Sequence, residues 1–370
     1  MRRRGGDGTT GAAGGCRPGA GVPLALFGRG AQPAQGVRRR PGTPRAPVAR
    51  TFATPGFRGM TFYEVYAKSI INRVPPASRM PFRWTVNPYR GCQHACFYCF
   101  ARNTHTYLDL DAGLDFNSKV VVKVNAPSLL RAALASPRWQ GEHIAMGTNV
   151  DCYQRAEGRY RLMPGIIAAL RDAANPFSIL TKGTLILRDR DLLAEAAEVT
   201  DVGLNVSAGF VDKELWRSLE PGTPHPERRL ETCAALTGSG LRCGVLMGPV
   251  VPFLSDSPAQ LDATVRQAAE AGAAHVSAIV LHLRPGAREW FFRWLRENHP
   301  GLVPRYRDMY GPGAYAPREY QARITEQVRE LARRYGIGAA SPGRTREAAP
   351  GHARRGPEWR GRRPVQLSLL

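Results

Sequence analysis

No run of about 18 consecutive apolar residues occurs in the 370-residue sequence, so no membrane-spanning helix is expected. The apolar segment VPLALF near the start is too short for the core of a secretory signal. Cysteine is scarce and unevenly spaced, with seven in the whole chain, which argues against a disulfide framework and for a reducing, cytoplasmic setting. Acidic residues almost vanish at both ends: residues 1–58 hold eleven Arg against one Asp, and residues 341–370 hold seven Arg against two Glu. These ends carry +10 and +5 of a net charge of +22, leaving +7 for the body between them. Residues 1–58 also lack an apolar period, so they are expected to be a disordered Arg/Gly/Pro-rich leader. A nucleic-acid arm, a transit peptide or a translated leader upstream of Met60 would each have that composition.

The body is richer. Between residues 80 and 282, short apolar runs alternate with helical periods: RWTVN (83–87), HIAMG (143–147), FSILTK (177–182), VGLNVS (202–207), CGVLMGPVV (243–251) and HVSAIVLHL (275–283) read as strands. Between them MPGIIAALRDAA and SPAQLDATVRQAAEAGAA repeat apolar residues at three and four, and the second opens with a Ser257-Pro258 start signal and stops near Gly272. Strand and helix in alternation imply right-handed βα units and a full or partial α/β barrel, with its chemistry at the C-terminal strand ends. The segment DFNSKVVVKVN (115–125) reads as an additional strand-like insertion. Residues 286–336 read as closing helices, with Trp290, Phe291, Phe292 and Trp294 packing inside them.

Three of the seven cysteines, Cys92, Cys96 and Cys99, fall within NPYRGCQHACFYCFAR (87–102), after the first strand. A structural zinc site wants four ligands, usually two separated pairs, and no second pair follows; His94 or His105 would have to complete it. A thioredoxin-like Cys96-Cys99 pair would leave Cys92 without a purpose. Three thiolates on an iron-sulfur cubane leave one iron open to a ligand.

The CxxxCxxC spacing after the first strand of a βα repeat, with Tyr98 before the last cysteine, resembles the radical S-adenosylmethionine superfamily. Within it, YRGCQHACFYCFAR (89–102), GTNVDCYQRAEGRY (147–160) and ILTKGTLILRD (179–189) resemble an uncharacterised actinobacterial subfamily in the spore photoproduct lyase or DNA repair photolyase-like branch. The resemblance implies a partial (βα)6 TIM-like barrel over residues 60–283, a C-terminal helical extension over 284–338 and a basic tail over 339–370. It further implies that Cys92, Cys96 and Cys99 hold a 4Fe-4S cluster, with S-adenosyl-L-methionine chelating the fourth iron. Tyr98 would lie against the adenine, Lys182 would approach the cofactor carboxylate, Ser207 would bond the ribose, and Thr148 and Asp151 would accept from the amino group. Glu220 and Arg228 are expected as an ion pair, MGPVVP (247–252) as an opening at a strand end, and Cys152 as a candidate catalytic thiol.

Two departures stand out. In spore photoproduct lyase a hydrogen-donating cysteine sits immediately before the Ser/Thr at the end of the second strand, where this chain has Gly147. A relay tyrosine follows the third cluster cysteine there, and here that residue is Phe100. Reversal of spore photoproduct is therefore not expected, while hydrogen abstraction from another substrate, nucleic acid first among them, is. A flavodoxin or ferredoxin is the expected reductant. The terminal Gln366, Leu367, Ser368, Leu369 and Leu370 resemble the bacterial sliding-clamp-binding pentapeptide. The competing reading is a non-catalytic iron-sulfur or zinc module that binds nucleic acid, or a clamp-recruited adaptor.

Overall fold

The computed structural model describes residues 46–339 except 77 and 79. Strands β1 (Val48–Arg50), β2 (Thr61–Val65), β3 (Ile71–Arg73), β4 (Trp84–Val86) and β5 (Tyr89–Arg90) come first. A 3-10 segment, Phe100–Leu108, leads to α1 (Leu114–Ser118), β6 (Lys119–Lys123) and α2 (Ala126–Leu134). A regular alternation follows: β7 (Ile144–Met146) with α3 (Arg155–Tyr160) and α4 (Leu162–Asp172), then β8 (Phe177–Thr181) with α5 (Arg190–Val199). Next are β9 (Val202–Ser207) with α6 (Lys213–Leu219) and α7 (Pro226–Thr237), and β10 (Cys243–Val250) with α8 (Pro258–Glu270). Last come β11 (His275–Val280), α9 (Ala287–Asn298), α10 (Val303–Tyr310), α11 (Arg318–Arg334) and β12 (Gly338–Ala339).

The principal sheet has the order β12-β11-β10-β9-β8-β7-β4-β3. Strands β4, β7, β8, β9, β10 and β11 run parallel, the six expected from the sequence, and the helices α4, α5, α7 and α8 between them each bury an apolar face. Helix α4 shows the principle: Leu162, Met163, Ile166, Ile167 and Leu170 recur at helical spacing and are buried, so one stripe meets the sheet while the other face meets water. Helix α8 starts where expected, with the Ser257 hydroxyl accepting from the Gln260 amide at 3.3 Å.

Although four strands separate β4 from β11 in the sheet, the residues beyond their C-terminal ends meet. The Phe100 ring, just after the cysteine loop, lies 5.6 Å from the His282 ring, just past β11. Gly286 likewise closes on Asn103, whose Cβ would lie 3.1 Å from an added side chain. The sheet therefore curls into an arc whose seam is bridged by side chains, the mixed α/β architecture expected of a partial barrel.

Three expectations require correction. Residues 46–58 are not part of a structureless leader: β1 pairs antiparallel with β2, Arg50 bridges Glu64 at 2.7 Å, and Phe52 and Phe57 pack on Phe62. Residues 115–125 are not one strand, because Leu114–Ser118 is helical and only Lys119–Lys123 pairs, in a second sheet of order β1-β2-β6-β5. The C-terminal extension is not wholly helical, since β12 returns to pair with β11. The aromatic residues of α9 do pack: Phe291 and Trp294 are buried, and Trp290 stacks on Phe97 at 5.7 Å. Among the described residues, no helix is long and apolar enough to cross a membrane. The terminal pentapeptide 366–370 and the leader before residue 46 lie outside the described residues.

Candidate functional site

The cysteine loop is held from four directions. Beneath it lies Arg102, wholly buried, whose guanidinium donates to the carbonyls of Ala95, Cys96, Ala112 and Gly113 and to Asn117 Oδ1 at 2.9–3.1 Å. A rigid five-donor fork suits that task, and a lysine would leave most of those acceptors unpaired. From the side, Gln154 clips the loop at two points: its Oε1 accepts from the Gln93 amide at 3.1 Å and its Nε2 donates to the Gly91 carbonyl at 2.9 Å. From above, the Gly222 amide donates to His94 O and the Phe97 amide to Leu219 O, each at 3.1 Å. The approach is so close that a Cβ on Gly222 would sit 2.1 Å from the Gln93 carbonyl oxygen. From the outer face, Trp290 stacks on Phe97 and receives the Arg102 cation at 4.9 Å.

A second network ties the strand before the loop to the next two units. Glu157, fully buried, accepts from Tyr89 Oη, from the amides of Leu162 and Met163 at 3.0 and 3.1 Å, and from Arg188 at 2.7 Å. Tyr153 donates to Asp189 at 3.0 Å. The conspicuous polar residues of QRAEGRY and ILRD thus tie the cysteine loop and the strand before it to the segments that follow β7 and β8.

Over the C-terminal strand ends lies a third group. Lys182, one residue past β8, donates from Nζ to Ser207 Oγ and to the Gly248 carbonyl at 3.2 Å, with Glu220 Oε1 at 3.9 Å. The Tyr98 ring lies 5.9 Å from the same ammonium, and its hydroxyl donates to Glu220. Glu220 is fully buried and paired with Arg229, which also donates to Thr223. Burial pushes the Glu220 carboxyl up, but the cations Arg229 and Lys182 outweigh it and hold it below its ordinary range. Asp151 accepts on Oδ1 from Thr181 Oγ1 at 2.7 Å and from the Tyr153 amide at 2.9 Å. Its Oδ2 accepts from the Lys182 amide at 2.6 Å and faces His94 Nδ1 at 3.4 Å. Burial holds the His94 imidazole at about 4 despite that carboxylate, so the ring is neutral near pH 7. Thr148 is half-buried in the bend after β7.

The structure therefore brings Tyr98, Lys182, Ser207 and Asp151 around the strand ends beside the cysteines, and corrects the expectations for Arg228 and Cys152. The ion-pair partner of Glu220 is Arg229; Arg228 faces outward and pairs with Glu231 at 2.8 Å. Helix α6, which follows Ser207, is capped by Asp212, which accepts from the Leu215 amide at 2.8 Å and leaves Ser207 to the strand-end group. Asp151 already accepts from Thr181 and the Tyr153 amide on one oxygen and from the Lys182 amide on the other, so it also braces the strand ends. Cys152 is wholly buried in the apolar core, so it is shut away from any substrate. Gly147 is also fixed by its surroundings: its φ is +74°, and a Cβ there would lie 1.8 Å from the Leu180 carbonyl oxygen.

The three cysteines suit a cluster better than a single ion. None is in a disulfide, Cys92 and Cys96 are each 6% exposed, and Cys99 is half-buried. Burial pushes all three thiols up, Cys96 to about 12, so a bound cationic group must supply what keeps them ionised. Among the described residues, no three His, Cys, Asp or Glu side chains are grouped to hold a metal ion. A tetrahedral zinc site takes four protein ligands, whereas a cubane takes three thiolates, each on its own iron, and leaves the fourth iron open. His105, a candidate fourth zinc ligand, bonds Lys119 O through Nε2 at 2.8 Å and packs on Phe116.

Comparison with known proteins agrees with this geometry. Residues 86–267 match the profile of the Radical SAM superfamily. An uncharacterized protein of Mycobacterium tuberculosis is 50% identical over 295 residues, spanning 80% of this chain and 87% of its own length. Another, from Methanocaldococcus jannaschii, is 31% identical over 195 residues, spanning 52% and 69%. Among solved structures, spore photoproduct lyase complexed with dinucleoside spore photoproduct superposes with a TM-score of 0.56 at 14% identity, covering 75% of this chain and 80% of that one. A variant of that lyase with bound AdoMet and dinucleoside spore photoproduct gives 0.55, also at 14% identity, with coverage of 75% and 79%. With its cysteine loop, strand order and relatives in agreement, the chain belongs to the radical SAM superfamily and is a radical SAM enzyme, a class that works with a 4Fe-4S cluster and S-adenosyl-L-methionine.

Proposed function

We propose that Cys92, Cys96 and Cys99 ligate the 4Fe-4S cluster, that Tyr98, Thr148, Lys182 and Ser207 bind S-adenosyl-L-methionine, and that the substrate is a nucleic acid. The observation that carries the cofactor assignment is convergence: a cysteine loop braced by Arg102, Gln154 and Gly222 stands beside polar groups from the ends of three successive strands. When bound, the two cofactors supply one-electron cleavage of the sulfonium and a radical that abstracts hydrogen.

The protein's own contributions follow from its contacts. Lys182, whose Nζ here holds Ser207 and the Gly248 carbonyl, would offer its ammonium to the cofactor carboxylate, and the Ser207 hydroxyl would bond the ribose. Tyr98 supplies an apolar ring whose position is set by its bond to Glu220. Thr148 accepts from the amino group. Asp151 acts as a positioning residue, fixing the Lys182 backbone and the His94 ring together. Neutral His94 places no positive charge beside the thiolates. Residues 60–283 form the catalytic unit in this reading, with 284–338 as its extension, and a cytoplasmic flavodoxin or ferredoxin supplies the electron.

Nucleic acid as substrate is supported by the surplus of +7 on the body, by the Arg-rich ends and by the shared fold with a lyase complexed with dinucleoside spore photoproduct. Spore photoproduct reversal is not the proposed reaction, because Gly147 carries no thiol and Phe100 no hydroxyl. Anaerobic reconstitution, reduction with dithionite and assay for 5′-deoxyadenosine test the cofactor reading. The wild type is expected to cleave S-adenosyl-L-methionine and Cys96→Ala to lose both cleavage and visible absorbance. A fully loaded, reducible cluster without cleavage would favour the non-catalytic binding module instead.

A further inference from the structure

At the seam where the arc of strands closes, an aromatic ladder leads outward from the cysteine loop. Phe100, the residue after Cys99, lies 5.6 Å from His282, and His282 stacks on Tyr315 at 5.7 Å with the planes 29° apart. Arg284 lies 5.8 Å from the Phe100 ring and donates from one NH2 to Tyr315 Oη at 3.0 Å. Tyr315 is 53% exposed, yet its loop is fixed. The Leu283 amide donates to Ala314 O at 2.7 Å, and His282 and Tyr315 form an antiparallel bridge. Arg288 donates to the carbonyls of Gly311 and Gly313 at 2.7 and 2.8 Å. A tyrosine left half in water on a loop held by an arginine and backbone pairing is pre-organised to receive something flat. Burial, with Arg284 beside it, holds His282 at about 4, so the ladder carries a neutral ring between two aromatic ones.

We infer that Tyr315, His282, Phe100 and Arg284 form a stacking platform for an unpaired nucleobase, with Arg284 meeting the adjoining phosphate. The inference rests on the nucleic-acid reading above and narrows it to a base that is single-stranded or drawn out of its duplex. Three features favour a base with its phosphate over a purely apolar ligand. The exposed ring is a tyrosine backed by a stacked imidazole, the Arg284 guanidinium is bonded to its hydroxyl, and the platform stands near the C-terminal strand ends beside the cysteine loop. Duplex DNA hides its base faces, so a flat platform selects for bases already unstacked.

The test is equilibrium binding of 5′-labelled single-stranded oligonucleotides and matched duplexes to the reconstituted full chain. Anisotropy gives the affinity, and quenching of a 2-aminopurine base reports stacking. The single strand is expected to bind more tightly than the duplex and to quench. Tyr315→Ala weakens binding roughly 5- to 100-fold and abolishes quenching, whereas Tyr315→Phe, which keeps the ring, stays within about threefold of wild type. Arg284→Ala lowers the slope of log affinity against log salt by about one. Thermal melting of Tyr315→Ala within a few degrees of wild type excludes unfolding as the cause, because the side chain is half in solvent. If Tyr315→Ala binds and quenches like wild type, or Tyr315→Phe fails as badly, the platform is refuted while the nucleic-acid reading stands. If the wild type cleaves S-adenosyl-L-methionine yet binds no nucleic acid, that reading and the platform fall together.

Discussion

Replacing Arg229 by methionine isolates the charge pair on which the strand-end site is built. Arg229 and Glu220 are 1% and 0% exposed, so each has given up its water shell for the other. Removing the cation leaves a buried carboxylate held by Tyr98, Thr223 and, at 3.9 Å, Lys182. Breaking a buried pair in this way costs about 3–5 kcal/mol. At about 2–4 °C per kcal/mol, the apoprotein melting temperature should fall by roughly 10 °C. Arg229 also donates to Pro224 O at 2.8 Å and Ser207 O at 3.2 Å, so neutralising the carboxylate as well will not restore everything. The double variant Glu220→Gln/Arg229→Met should nonetheless recover about 1–2 kcal/mol over Arg229→Met alone, the coupling expected of neighbours in one network. Calorimetry of the four proteins in the cycle gives the number directly. A loss below about 1 kcal/mol in Arg229→Met, within the range of an ordinary substitution, or no recovery in the double variant, would refute the pair as the keystone.

Other outcomes follow from the same geometry. Lys182→Met should weaken S-adenosyl-L-methionine binding at least about tenfold, the worth of one charge-assisted hydrogen bond, while leaving the cluster's visible absorbance intact; equal affinity would remove Lys182 from the cofactor site. Because Glu220 is held below its ordinary range, its contribution to stability is fully present above about pH 4.3 and is lost as pH falls through the folded value. The acid limb of stability against pH should therefore be shallower in Glu220→Gln, and superimposable limbs would contradict the depressed carboxyl. Gly147→Ala should cost several kcal/mol, because its Cβ would overlap the Leu180 carbonyl at a positive φ. Wild-type melting in that variant would show that the backbone there relaxes freely.

Much of this was legible in the sequence because the relevant signals are long or dense. Six strands alternate with helices whose apolar spacing is unambiguous, and three cysteines in eight residues are hard to mistake. What was missed depended on single-residue register. Arg228 and Arg229 are neighbours, but on a helix they point about 100° apart, and the buried stripe of α7 runs Pro226, Arg229, Leu230, Cys233, Leu236. Reading that stripe would have put Arg229 inward. Strand β1 has three residues and α1 five, both too short to show a period, so tertiary pairing decides them. Arg102, Gln154 and Glu157 stand inside the motifs without a signal of their own. Only the fold shows that their donors and acceptors meet the loop, Tyr89 and Arg188.

Seen as a problem of descent, Gly147 separates this chain from the thiol-bearing lyases more deeply than its one residue suggests. A glycine codon becomes a cysteine codon by one nucleotide change, so the genetic distance to a hydrogen donor at that position is minimal. The structural distance is not, since any side chain there would occupy the space of the Leu180 carbonyl. A thiol at this position therefore requires the turn beyond β7 and the end of β8 to move apart, a shift that also pulls on the bond between Asp151 and the Lys182 amide.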